Sequence, residues 1–297
     1  MDNHEFAWAA GFFDGEGWAA SQSRSARARI NQAGANGVPE VLSKFGRIVG
    51  VGRIKGPALK EGKKPLYYWE ATSRPDLQRV AHLIGCWLCP VKRAEFDRIP
   101  GVALEPIAWP GSKSEELSWA GGFFDGEGST YLSMHRTHDG YFIPGIEIPQ
   151  AGCNGIPEVL LRFRAALDNV GNINGPHRYE STDAPVYRWK TEALDNVNLL
   201  VHRLLPFIGS VKREQALRVL SVINTQASLT RGNPAFGVAG ARYCLRGHDK
   251  WTARVRPFKG RGRNTEDPLL HLRQCLTCLR ERAQAKRNQK RRRRPRR

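Results

Sequence analysis

The chain opens with a stretch whose pattern is helical. Asp2 with Glu5, and later Ser112 with Glu115, have the three-residue spacing of an N-terminal capping box, and Gly17 and Gly128 break the helices these caps begin. Two extended segments follow each helix, at 18–33 and 129–151, with His138, Asp139 and Gly140 placed as the turn of the second hairpin. A further helix starts near Pro39, and again near Pro157, where proline is tolerated in the first turn. Short strands are expected near 51–55 and 66–72, and near 171–174 and 186–191. A helix over about 75–85, or 195–205, then leads to a VKR segment and another helix. The predicted fold class is α+β, with an αββαββα half occurring twice.

The duplication is explicit in the residues. WAAGFFDGEG at 8–17 returns as WAGGFFDGEG at 119–128, and QAGANGVPEVLSKF at 32–45 returns as QAGCNGIPEVLLRF at 150–163. GP at 56–57 matches GP at 175–176, and CPVKR at 89–93 matches GSVKR at 209–213. The offset drifts from 111 through 118 to 120, as expected of two homologous halves that differ by short loop insertions. The expected domains are a first repeat at 1–105, a second at 106–232 and a tail at 242–297.

Within the opening helices, small residues sit four apart: Ala7, Gly11 and Gly15, then Ser118, Gly122 and Gly126. Residues four apart share a helix face, and each glycine costs a helix about 1 kcal/mol relative to alanine. Close contact between the two helix backbones along this stripe is the simplest compensation. Trp8, Phe12 and Phe13 would then anchor the first helix to its own half. Such packing brings DGEG of one repeat beside DGEG of the other. Asp14 and Asp125 fall inside the last turn and Glu16 and Glu127 at its exit. Paired carboxylates there call for bridging cations, and Mg²⁺ with oxygen ligands suits phosphodiester cleavage. Spacing alone does not say which acid of each pair holds the metal.

Charge changes the picture in one region. The whole chain has 47 Lys and Arg against 28 Asp and Glu, a net of +19. Residues 242–297 hold 20 of those bases and 4 of the acids, a net of +16, which leaves only +3 for residues 1–241. The tail, ending KRNQKRRRRPRR, is suited to sequence-blind attraction to phosphate, whereas binding by the body needs a local basic face. Such a face is expected on the hairpins, where Gln22, Arg24, Arg27 and Arg29 stand in the first half and His135, Arg136 and His138 in the second. A two-stranded ribbon of this kind fits the major groove of double-stranded DNA.

The six cysteines come with no secretory context, so a disulfide framework is not expected. Cys244 and His248, followed after 26 residues by Cys275 and Cys278, have the spacing of a structural Zn²⁺ site in a small C-terminal module. Cys86 and Cys89 read as core residues. No apolar run is long enough to span a membrane, and MDNHEFAW lacks a basic signal region, so a cytoplasmic protein, nucleoid-associated when bound to DNA, is the expectation, and two matching halves in one chain make it an expected monomer.

The residues AAGFFDGEG at 9–17 and AGGFFDGEG at 120–128 resemble the nine-residue signature of the LAGLIDADG homing endonucleases, of the single-chain, two-motif kind. The resemblance runs from residue 5 to about 225. It implies the αββαββα plan, cleavage of both strands of a long DNA site, and Glu16 and Glu127 as metal-binding catalytic acids. It further implies Gln32 and Gln150 beside the solvent network, and Lys92 and Lys212 just before the final helix of each half. Alanine replaces the leading leucine, Phe-Phe replaces Leu-Ile, and glutamate replaces the commoner aspartate. A non-cleaving binder on the same scaffold, an intron RNA maturase or a transcription regulator, stays open as the alternative.

Overall fold

The computed structural model describes residues 2–22, 25–134, 142–178 and 184–230, with two short tail strands. The chain divides into two compact units, Met1–Leu220 and Ser221–Arg297.

Each repeat of the first unit builds the same series of elements. The first runs α1 (Asn3–Glu16), β1 (Gly17–Gln22), β2 (Ser25–Ala33), α2 (Glu40–Val49), β3 (Arg53–Ala58), β4 (Leu66–Ala71), α3 (Arg74–Ile84), a single 3-10 turn at Gly85–Trp87, and α4 (Pro90–Asp97). The second runs α5 (Lys113–Glu127), β5 (Ser129–Met134), β6 (Phe142–Ala151), α6 (Glu158–Ala166), β7 (Asn172–His177), β8 (Val186–Thr191), α7 (Leu194–Leu204) and α8 (Ser210–Thr230). Each half thus ends on two helices. The Ser112 cap is a full capping box, whereas Asp2 caps α1 by accepting from the His4 amide without the reciprocal bond.

Each half holds a four-stranded antiparallel sheet, ordered β1-β2-β4-β3 and β5-β6-β8-β7. Alternation sends one face of each sheet onto its helices. In β8, Tyr187, Trp189 and Thr191 are buried while Arg188 and Lys190 are half-exposed. The buried tryptophans are the centre of each core: Trp69 meets Phe45 edge-on at 4.9 Å, and Trp189 meets Phe163 edge-on at 4.9 Å. Their indole N–H groups donate to the carbonyls of Val51 (2.9 Å) and Val170 (3.0 Å). The next residues, Gly52 and Gly171, have φ of +77° and +84°, and a Cβ on either would lie within 2.7 Å of the indole ring, so only glycine suits both the turn and the contact.

The tail unit contributes an antiparallel strand pair, β9 (Val255–Pro257) and β10 (Arg273–Cys275). The expected zinc ligands Cys244, His248 and Cys278 lie outside the described residues, as does the side chain of Cys275. No described helix is long and apolar enough to cross a membrane.

Candidate active site between the two repeat helices

The site is assembled where α1 and α5 meet. A Cβ added to Gly11 would lie 2.0 Å from the carbonyl oxygen of Trp119, and one added to Gly122 would lie 1.9 Å from that of Trp8. The helices therefore touch backbone to backbone, which compensates for the low helix propensity of the glycine stripe. One turn further on, the same hypothetical atoms on Gly15 and Gly126 would lie 3.0 Å from Cγ of Glu127 and Glu16 respectively. Each glutamate side chain thus lies across the glycine of the opposite helix.

Aspartate and glutamate of DGEG take different places. Asp14 is buried and accepts from both sides of the interface: from the Cys89 amide at 3.1 Å and from the Trp119 indole of the other repeat at 2.9 Å. Asp125 mirrors it, accepting from the Gly209 amide at 2.9 Å and the Trp8 indole at 3.0 Å. Each aspartate therefore ties the start of its own half's last helix to a tryptophan of the opposite half. Burial raises both to about 6, against these hydrogen bonds. The expectation that Trp8 anchors α1 within its own half is corrected in this respect. Phe12 and Phe13 do pack on Phe45 (6.2 Å each), and Phe13 also on Phe96 (5.5 Å), but the polar edge of Trp8 reaches across. An indole N–H has to find an acceptor when buried, and the nearest lies on the other helix.

With the aspartates fully engaged, Glu16 and Glu127 are the carboxylates left to face one another. Glu16 is raised to about 7, first by burial and then by the negative charge of Glu127, while a hydrogen bond from Gln32 and the charge of Lys212 act in the other direction. Glu127 is raised by burial, opposed by a hydrogen bond from Gln150 and by the charges of Lys212 and Lys92. The structure thus brings together all six residues singled out in sequence: Glu16, Glu127, Gln32, Gln150, Lys92 and Lys212. Gln32 and Gln150 reach the acids from the ends of β2 and β6, paired with Tyr67 and Tyr187. Lys92 and Lys212, expected just before the final helix of each half, stand instead inside the first turn of α4 and α8. Lys212 donates to the carbonyl of Gly128, and its own pKa is lowered by burial.

Among the described residues, no group of three or more His, Cys, Asp or Glu forms a metal cluster. The acid pair therefore offers two carboxylates, with two carboxamides beside them, and any cation held there would complete its shell from water, backbone or substrate oxygen.

The solvent face of the first sheet is cationic. Arg27 and Arg29 alternate along β2 with the buried Ala28 and Ile30. Arg29 stacks 3.6 Å over the ring of Tyr68 and donates to Asn31 at 3.1 Å. Glu70 holds Lys55 at 2.8 Å and Arg27 at 3.4 Å. Gln22 ends β1, and Arg24, His135, Arg136 and His138 lie outside the described residues. Tyr68, Glu70 and Lys55 had no signal in sequence, because only the pairing of β2 with β4 and of β4 with β3 puts them beside the hairpin arginines. On the second sheet, Arg188 faces Glu147 at 3.6 Å.

No family model matches the sequence, and no curated protein matches it. Solved structures do match its architecture. The meganuclease I-AabMI bound to uncleaved DNA superposes with a TM-score of 0.52 at 14% identity, covering 77% of this chain and 93% of that one. The homing endonuclease I-GzeII in complex with its DNA target gives a TM-score of 0.50 at 14% identity, covering 76% and 92%. At this identity the likeness is one of architecture, and the fold of this chain is that of the LAGLIDADG homing endonucleases.

Proposed function

We propose that the chain is a metal-dependent endonuclease that cuts both strands of a long, specific double-stranded DNA site. The observation that carries this is the pairing of Glu16 and Glu127. Two carboxylates buried against each other across Gly15 and Gly126 carry an electrostatic cost that a bound cation would remove. Hard oxygen donors, few in number and with no thiolate or imidazole among them, fit Mg²⁺, which keeps water and substrate phosphate in its shell. Such an ion supplies stabilisation of developing negative charge on phosphate oxygens and lowers the pKa of bound water. The chain's own residues contribute orientation: Gln32 and Gln150 fix the carboxylates, and Lys212 adds positive charge beside both.

The cationic sheet face of the first half supports DNA as substrate, and so does the shared fold with nucleases solved on DNA targets. The reading extends to a monomer, since the paired helices already belong to one chain. It also extends to a cytoplasmic protein whose tail, held by Zn²⁺ through Cys244, His248, Cys275 and Cys278, adds grip on phosphate.

The test is incubation of a randomised duplex library with the full chain and Mg²⁺, with EDTA as control, and sequencing of the cut ends. Metal-dependent cuts converging on one long motif are expected. Glu16→Gln with Glu127→Gln should bind that motif without cutting it. Full cleavage by the double variant would remove the assignment of the acids, and enrichment without cuts, with RNA outcompeting duplex DNA, would favour a maturase. Zinc retained at one equivalent after dialysis, and lost on Cys275→Ser, would support the tail site.

A further inference from the structure

The two lysines of the site occupy equivalent positions in the repeats but are held differently. Lys92 pairs with Glu95 at 3.0 Å, both groups about four-fifths buried. Glu95 is itself anchored, its second oxygen accepting from the Ala19 amide of β1 at 2.8 Å. At the register of CPVKR and GSVKR, the residue three beyond Lys212 is Gln215, which has no charge to hold a lysine. Lys212 turns instead to the Gly128 carbonyl, directly after Glu127. The charge of Lys212 reaches both Glu16 and Glu127, whereas that of Lys92 reaches Glu127 alone.

We infer that Glu95 is a positioning residue that tethers Lys92 and offsets its charge, so that Lys212 carries the larger share of the site's chemistry and the two DNA strands are cut at unequal rates. This rests on the nuclease reading above. A salt-bridged ammonium whose carboxylate partner is itself fixed by a strand amide is a poorer source of charge for a phosphate, because that pair must be broken before the ammonium can turn to it. The carboxamide of Gln215 leaves its lysine free of that constraint. An otherwise symmetric fold thereby acquires a chemical asymmetry from one carboxylate.

The experiment uses the full chain and the duplex recovered from library cleavage, with different fluorophores on the two 5′ ends, so that each strand is timed in the same reaction. A nicked intermediate should accumulate in the unmodified protein. Lys212→Met should slow cleavage by about 100-fold, the scale of a lost electrostatic stabiliser, and Lys92→Met by less than about tenfold. Glu95→Gln, which can still accept from Ala19, should bring the two strand rates together and make a subsequent Lys92→Met costly. Gln215→Glu should tether Lys212 and slow the faster strand. Binding of the same duplex in EDTA, read by fluorescence anisotropy, should be unchanged for Glu95→Gln and Gln215→Glu. Equal strand rates in the unmodified chain, or equal losses from the two lysine variants, would overturn the inference and leave the nuclease reading standing. Absence of any cut by the unmodified chain would remove both.

Discussion

The two repeats solve one packing problem with different chemistry, and the pair Lys44 and Arg162 shows how. Both occupy the same position of the second repeat motif, and both lie over a tryptophan of the central helix: Lys44 3.7 Å over Trp8, Arg162 4.0 Å over Trp119. In the first half, the cation keeps company with Glu5, Glu40 and Asp125 only through their charges, and burial lowers its pKa. In the second half, Arg162 is 6% exposed and bonded in two places to Glu116, at 3.1 Å each, and it also lies 4.7 Å over the ring of Trp109. It also donates to the carbonyl of Trp87 in the first half. The guanidinium is flat, with donors on several edges, so it can lie against rings and be hydrogen-bonded at several points at once, which a lysine cannot do. Pseudo-symmetry thus fixes where a cation must stand, and the side chain decides whether that cation also fastens one repeat to the other.

The sharpest way to break the comparison is at the helix contact. Gly11→Ala and Gly122→Ala each put a methyl onto a backbone carbonyl, and each should lower stability by about 3 kcal/mol or more in urea titration. Gly15→Ala is tight only against the flexible Glu127 side chain, its other neighbours lying at ordinary contact distance, so it should cost about 1 kcal/mol while still disturbing cleavage. Equal losses at Gly11 and Gly15 would refute this ranking.

Next in size is the acid beneath the cation. Glu116→Gln leaves Arg162 buried without its counter-charge and should cost roughly 3–5 kcal/mol, whereas Glu5→Gln at the equivalent position should stay within about 0.5 kcal/mol. Thermal unfolding of the two variants side by side measures the difference.

A smaller effect concerns pH. Glu16 at about 7, and Asp14 and Asp125 at about 6, all sit above their ordinary values, so the folded chain binds more protons than the unfolded chain between those limits. Stability should therefore fall as pH rises from about 5 to 7 in EDTA, and recover on adding Mg²⁺. Glu40 and Glu70, whose values are lowered, are ionised in both states across this window and leave its sign unchanged. Glu16→Gln should flatten the slope and raise Tm by a few degrees near neutral pH, a gain on the order of 1–2 kcal/mol. A Tm that rises with pH over the same range would show that the acid pair is not the controlling group.

Much of this was readable in the chain. The repeated WAAGFFDGEG motif announced a helix pair, because two glycine stripes at four-residue spacing have few reasons to exist singly. The order of strands and helices followed from caps, prolines and alternation. The division of labour inside DGEG did not. Asp14 and Glu16 are two residues apart and chemically alike, and only the approach of Trp119 and of the Cys89 amide shows that the aspartate is already occupied. The same holds for Glu95, an ordinary helix acid until β1 is laid beside α4.

Sequence alone therefore determined the duplication, the α+β elements and the paired DGEG acids, since these depend on repetition, periodicity and local backbone preference, while Gln32, Gln150, Lys92 and Lys212 were marked only by the family resemblance. Tertiary structure decided which carboxylate is free, which lysine is tethered and which cation bridges the halves. Those outcomes depend on desolvation and on hydrogen-bond partners brought from 75 to 117 residues away, and neither is encoded in local spacing.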